Sequence, residues 1–171
     1  MDKIFQRIFE NNFSELAGLM INASIPVAEK LINEVIGAAL RGNKNITYCR
    51  VTIERQNRVV VNLKTPVLPF ALNLKLRLAE ALELGGSPRL TAWLENQLFL
   101  AGIGSFLNVL PAGIRIQGNQ LTVDIESFLT TPEQKRLLQL IQWVGIKTQE
   151  DKVILDVKMG VDEARESKER S

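Results

Sequence analysis

Residues 48–64, YCRVTIERQNRVVVNLK, carry the reading on which the fold turns. Cys49, Val51 and Ile53 alternate with Arg50, Thr52 and Glu54. Beyond Arg55-Gln56-Asn57, Val59, Val61 and Leu63 alternate with Arg58, Val60, Asn62 and Lys64. A period of two marks strands with one buried face. The loop length then fixes the pairing. A two-residue loop at Gln56-Asn57 sets Val51 beside Asn62 and mixes the faces, because a slip of one residue moves every side chain to the other side. A three-residue loop, Arg55-Gln56-Asn57, pairs Cys49 with Leu63, Val51 with Val61 and Ile53 with Val59. It also sets Glu54 against Arg58, and Asn57 tolerates the left-handed backbone that such a loop needs. The segment is an antiparallel hairpin, apolar on one face and charged on the other.

Working outward, Pro66 and Pro69 interrupt the ladder. Phe70, Leu72, Leu74, Leu76 and Leu78 then alternate with Asn73, Lys75 and Arg77 as a further strand, closed by Gly85-Gly86. Ser87-Pro88 opens an expected helix with Leu90, Trp93, Leu94, Leu98 and Ala101 on one face. It runs into the uncharged stretch 97–114, whose Asn108, Pro111 and glycines read as a buried helix and turn rather than a membrane span. Ile114 and Ile116 face Val123 and Leu121 across Gly118-Asn119 in a second hairpin. Thr131-Pro132-Glu133-Gln134 matches a capping box, and Leu137, Leu138, Ile141 and Val144 supply that helix with an apolar stripe. In a third hairpin, Val144, Ile146 and Thr148 face Val157, Leu155 and Val153 across Glu150-Asp151. Toward the N-terminus, Ile4, Phe5, Ile8, Phe9, Phe13 and Leu16 recur at helical spacing. Ser24 and Pro26 then start a helix that carries Val27, Leu31, Ile32 and Val35 and stops at Arg41-Gly42. A helix-then-hairpin unit is thus expected around 26–65, 88–126 and 132–159. The fold class is α+β: an antiparallel sheet of hairpins with helices packed on one face. Residues 1–160 are expected to form a single domain, and the charged residues 161–171 a disordered tail.

Composition narrows the chemistry. The chain has 171 residues, no histidine and one cysteine. Ser-His-Asp and Cys-His nucleophilic sites are excluded within it, as are zinc sites built on histidine or on cysteine clusters. No phosphate-binding glycine loop or calcium loop pattern occurs. Asp124, Glu126, Glu133, Glu150, Asp151 and Asp156 fall on turns, helix starts and outward strand positions. Cys49 points inward with Val51 and Ile53. No catalytic residue, metal ligand or cofactor is expected, and the chain is not expected to be an enzyme.

Two features remain. Apolar residues are in excess on helix faces, which fits either a packed core or a pocket for an apolar ligand. Basic residues crowd the span from Arg41 to Arg77, where Glu54 is the lone acid. Arg58, Lys64, Lys75 and Arg77 all alternate outward and are the expected contacts to an anionic surface. With net charge +2 and only 6% aromatic residues, nucleic acid is the least favoured partner. The N-terminus shows no apolar run of the kind a signal peptide needs, so the cytoplasm is the expected compartment.

The segments LPAGIRIQGNQLTVDIESFL (110–129) and VGIKTQEDKVILDVKM (144–159), with the phrase G-N-x-L-x-V-D-I at 118–125, resemble small bacterial members of the tubular lipid-binding superfamily. The resemblance covers about half of the chain. It implies a strongly curved antiparallel sheet wrapped round a long helix, an apolar lumen, and no catalytic motif. Under that reading Leu72, Leu74, Leu76, Trp93 and Leu98 line the lumen, with Phe5, Phe9 and Phe13 at its mouth. The expected function is non-enzymatic binding of a lipid or another apolar ligand at an anionic membrane surface. The alternative is a protein-interaction module that uses the N-terminal helix or the basic sheet face.

Overall fold

The computed structural model describes residues 20–41, 44–66, 70–95 and 113–160. Its elements, in chain order, are β1 (Met20–Ala28), α1 (Glu29–Ala39), β2 (Tyr48–Ile53), β3 (Arg58–Lys64), β4 (Leu72–Leu78), β5 (Arg89–Leu94), β6 (Ile114–Gln117), β7 (Gln120–Asp124), a 3-10 turn (Ile125–Phe128), α2 (Pro132–Gln139), β8 (Ile141–Gln149) and β9 (Lys152–Gly160). The class is α+β with antiparallel pairing throughout. The strands form two sheets. The large one has the order β2-β3-β4-β5-β7-β6 and the small one β1-β9-β8. Both are open and neither is strongly curled, which corrects the strongly curved sheet that the family resemblance implied.

All three hairpins have the registers that pure faces demand. Val51 pairs with Val61 and Ile53 with Val59. Ile116 pairs with Leu121 and Ile114 with Val123. Ile146 pairs with Leu155 and Thr148 with Val153. The turns are those the residues permit: Gln56 and Asn57 have φ of 62° and 56°, and Gly118 has φ of 60°. The capping box at α2 is present in full, with Thr131 accepting from the Gln134 N–H and the Gln134 side chain accepting from the Thr131 N–H.

Two expected helices give way to strands. Residues 20–28 form β1, paired along its length with β9, and α1 begins only at Glu29. Ile21, Ala23, Ile25 and Val27 repeat every second residue, and β9 is completed by them on one side. Pro26 is tolerated because β1 is an edge strand. Residues 89–94 form β5 rather than the start of a helix. Leu90, Ala92 and Leu94 point inward, and β4 and β7 pair on either side. The helix-then-hairpin repeat therefore fails at 88–95. Helix α2 ends at Gln139, so Ile141 and Val144 belong to β8 and not to its stripe. The expected helix over 4–20 falls, up to residue 19, outside the described residues, as do Leu98 and Ala101.

The core lies on the inner face of the large sheet. Ile53, Val59, Leu74, Leu76, Ala92 and Leu94 are buried together, with Ile32 of α1 and Val153 of β9 packed against them. Edge bonds hold the sheets and α1 in place. Asn33 of α1 donates from Nδ2 to the Val51 carbonyl (2.7 Å) and accepts the Val51 N–H on Oδ1 (2.8 Å). Glu29, one turn earlier, accepts the Ile53 N–H at 2.8 Å. Asn57, in the β2–β3 turn, does the same for β8: its amide donates to the Ile146 carbonyl (3.0 Å) and accepts the Thr148 N–H (2.9 Å). The chain leaving β4 crosses to the same edge, with the Ile146 N–H on the Glu80 carbonyl and the Leu82 N–H on the Val144 carbonyl. An amide side chain carries one donor face and one acceptor face, so it substitutes for a strand's peptide group.

Replacing Asn33 with alanine strips both partners from a half-buried peptide. Urea unfolding of Asn33→Ala is expected to show a loss of about 1–3 kcal/mol. A midpoint unchanged from the parent chain refutes the edge-clamp role.

Candidate functional site

The outer face of the large sheet gathers the charges. In register across β3, β4, β5, β7 and β6 stand Arg58, Arg77, Trp93, Gln120 and Gln117. One step along, Thr52, Val60 and Lys75 share a row, then Arg50, Asn62 and Asn73, and at the far end Tyr48 lies beside Lys64. None of the outward positions of β2, β3 and β4 is a carboxylate. Arg58 and Arg77 sit directly opposite each other, which costs energy for like charges. Glu95, just after β5, offsets it: its carboxylate accepts from Arg58 Nε at 3.2 Å and from Arg77 Nη2 at 2.9 Å. Partial desolvation raises the Glu95 carboxyl, but the bonds and charges of Arg77 and Arg58 outweigh it and hold the group below its ordinary value.

The residues expected from sequence divide cleanly. Arg58, Lys75 and Arg77 come together on this face, and Lys64 lies at its end beside the exposed Tyr48. Leu72, Leu74 and Leu76 point to the opposite, inner face, where they are 2–5% exposed. Leu74 and Leu76 belong to the buried core cluster. Trp93 is not with them. It is 39% exposed and faces outward between Arg77 and Gln120, a correction that follows from β5 being a strand: Ala92 and Leu94 point in, so Trp93 points out. Leu98, Phe5, Phe9 and Phe13 lie outside the described residues. Sequence reasoning passed over Arg50 on the same face, and Arg89 and Arg115 on its β5 and β6 strands. For Arg50 and Arg115 alternation with inward apolar neighbours was the available signal that they point outward; Arg89 fell in a segment read as a helix.

A second exposed tryptophan, Trp143, lies on the outer face of the small sheet. Its ring covers Gly145 so closely that a Cβ there falls within the indole. Lys158 Nζ stands 5.4 Å from the ring centroid, within cation–π range. Trp143, Leu78, Ala81, Arg77 and Lys147 line a cleft of about 880 Å³ at the seam between the sheets.

Polar groups near β7 have structural partners. Asp124 accepts the Ser87 hydroxyl and, at 3.1 Å, the Glu126 N–H, capping the 3-10 turn. The Ser87 bond is the chief cause that holds the Asp124 carboxyl below its ordinary value; partial desolvation opposes it. Burial pushes the Cys49 thiol up, which disfavours the reactive thiolate. Among the described residues no group of three or more His, Cys, Asp or Glu is placed to hold a metal ion, and no helix is long and apolar enough to cross a membrane. Compared with protein-family models, with curated proteins and with solved structures, the chain finds no match.

Two outcomes follow. Gly145→Ala must displace the Trp143 ring, at about 1–3 kcal/mol for the overpacked contact; unfolding curves and tryptophan emission measure it, and an unmoved spectrum contradicts the contact. Asp124 has a folded-state pKa below its unfolded one, so its stabilisation is complete above the ordinary aspartate range and drains away as pH falls through the lowered value. An NMR titration of Ser87→Ala is expected to return Asp124 toward the ordinary value.

Proposed function

We propose that this chain is a non-enzymatic binding domain for a lipid or another apolar ligand, held at an anionic membrane surface by the outer face of its large sheet. One observation carries the reading: Arg50, Arg58, Lys64, Lys75 and Arg77 occupy outward positions on three adjacent strands that offer no outward carboxylate. Each lysine or arginine near such a surface contributes about 1 kcal/mol, so a cluster reaches useful affinity where a single charge does not. Exposed Tyr48 and Trp93 on the same face add amphipathic rings of the kind that settle at headgroup depth. The compartment that fits is the cytoplasm, where the facing membrane leaflet is the anionic one.

A second reading, a protein-interaction module, is favoured by α1. Leu31 and Val35, one turn apart on its outer side, are 52% and 60% exposed. That pair offers a small apolar strip to a partner helix.

Vesicle flotation separates them. Phosphatidylcholine vesicles containing phosphatidylserine are expected to carry the protein, and neutral vesicles are not. The binding should fall with salt, and Lys64→Gln with Lys75→Gln together should weaken it by about tenfold or more. Equal recovery with neutral and anionic vesicles refutes the surface reading. Native mass spectrometry of protein from cells reads the ligand: a species that always runs at the bare chain mass refutes lipid uptake.

A further inference from the structure

The outer face changes character past Trp93. On β2, β3 and β4 it is basic. On β5, β7 and β6 it is concave, with a groove of about 280 Å³ lined by Arg89, Arg115, Gln117, Gln120 and Thr122 together with the carboxylates of Glu83 and Asp124. Arg89 and Arg115 stand on the strands flanking β7. Arg115 pairs across to Thr122, and Arg89 to Asp124, one step further along. Both arginines are exposed, and neither forms an ion pair among the described residues. This is unlike Arg58 and Arg77, which share Glu95.

Two acids, Asp124 and Glu83, line the same groove, and each is hydrogen-bonded to a neutral group and to neither arginine. Asp124 takes the Ser87 hydroxyl and the Glu126 N–H. Glu83 takes the Thr91 hydroxyl at 3.1 Å. Two unpaired guanidinium forks on either side of one strand are matched to an anion with several oxygens, since a fork donates two parallel bonds to a phosphate. The Thr122 hydroxyl and the Gln117 and Gln120 amides each both donate and accept, which is what neighbouring hydroxyl groups of a polyol require. The volume suits a small headgroup; ligand pockets for larger molecules run from about 300 Å³ upward. Trp93, in register with Gln120, lies next to this end of the face with 39% of its surface exposed.

We infer that the groove between β5, β7 and β6 binds a phosphorylated polyol, with Arg89 and Arg115 holding the phosphate and Gln117, Gln120 and Thr122 contacting the hydroxyls. The site is on the same face as the basic strands, and the inference rests on the membrane reading for a lipid headgroup as the source of that phosphate. A free polyol phosphate presents the same chemistry.

The test uses the full chain with three probes: vesicles containing a phosphatidylinositol phosphate, vesicles of equal total charge made with phosphatidylserine, and soluble inositol phosphate followed by calorimetry and amide NMR shifts. Preference for the inositol lipid at equal charge is expected. Arg89→Gln or Arg115→Gln should abolish that preference by about tenfold or more in affinity, with phosphatidylserine binding retained. Arg115→Lys should restore only part, because the charge returns without the fork. Soluble inositol phosphate bound through the same arginines, with no vesicle binding, supports the groove and overturns the membrane reading. Equal binding to both charged vesicles, untouched by either arginine variant, overturns the groove and leaves the membrane reading standing. No binding to any of the probes overturns both. Both arginines are exposed, so folding is checked by circular dichroism, and an Arg→Gln variant that unfolds is replaced by Thr122→Ala, with the same expected loss of preference.

Discussion

An open sheet ends on strands whose outward N–H and C=O groups have lost their ladder partners, and each one buried without a bond costs about 1–3 kcal/mol. This chain meets that constraint with side chains. Asn33 bonds both polar groups of Val51 at the edge of the large sheet, and Asn57 bonds the Ile146 carbonyl and the Thr148 N–H at the edge of the small one. The rest of the architecture hangs on these two amides. Asn33 fixes α1 against β2, which brings Ile32 onto the core. Asn57 ties the β2–β3 turn to β8 while its own carbonyl takes the Leu78 N–H at 2.7 Å, so one turn residue links both sheets. The helix reaches the sheet at its edge, and the charged face of the large sheet stays exposed.

Exposure of that face has an energetic consequence. Arginines and lysines on adjacent strands repel, and the fold gains little from them: exposed ion pairs contribute about 0–1 kcal/mol. Glu95 relieves the closest pair, Arg58 and Arg77, by lying between them. The outward cations of β2, β3 and β4 meet no outward carboxylate of those strands, and like charges on adjacent strands cost the isolated domain energy. The neutral, concave end beyond Trp93 works differently. There Arg89 and Arg115 stand with Glu83 and Asp124, so the charges balance and the hydrogen-bonding groups are dense.

The hairpins were legible because independent signals agreed. The period of two gave the faces in all three, and in the first two the turn residues agreed with the loop length that kept the faces pure. The same logic placed Arg58, Lys64, Lys75 and Arg77 outward. What local pattern could not supply was partnership. Leu90, Trp93 and Leu94 fit a helix stripe, and Leu90, Ala92 and Leu94 fit a strand equally well. The choice falls to β4 and β7, which pair on either side of this segment. For β1 the deciding partner is β9, over a hundred residues away, and Ser24 and Pro26 imitate a helix start while Ser24 in fact bonds Asp156 across the ladder at 2.7 Å. Intrinsic preference is a weak prior, and a missing strand neighbour overrides it. That the four basic residues share one face was implicit in their alternation. That Arg89 and Arg115 share it too depends on the strand order β5-β7-β6, which no local reading contains.

Trp93 shows how much rests on that order. Read on a helix, it joins the apolar side and lines a lumen. Read on β5, it crosses to the charged face and lands in the row Arg58, Arg77, Trp93, Gln120, Gln117. That row crosses five of the six strands and joins the basic half of the face to its polar groove. An indole at the junction has a cation on one side and an amide on the other, surroundings unlike those of the apolar core. The reassignment of one residue therefore moves an indole from the inside of the sheet to the outside, while Leu72, Leu74 and Leu76 stay buried on the inner face.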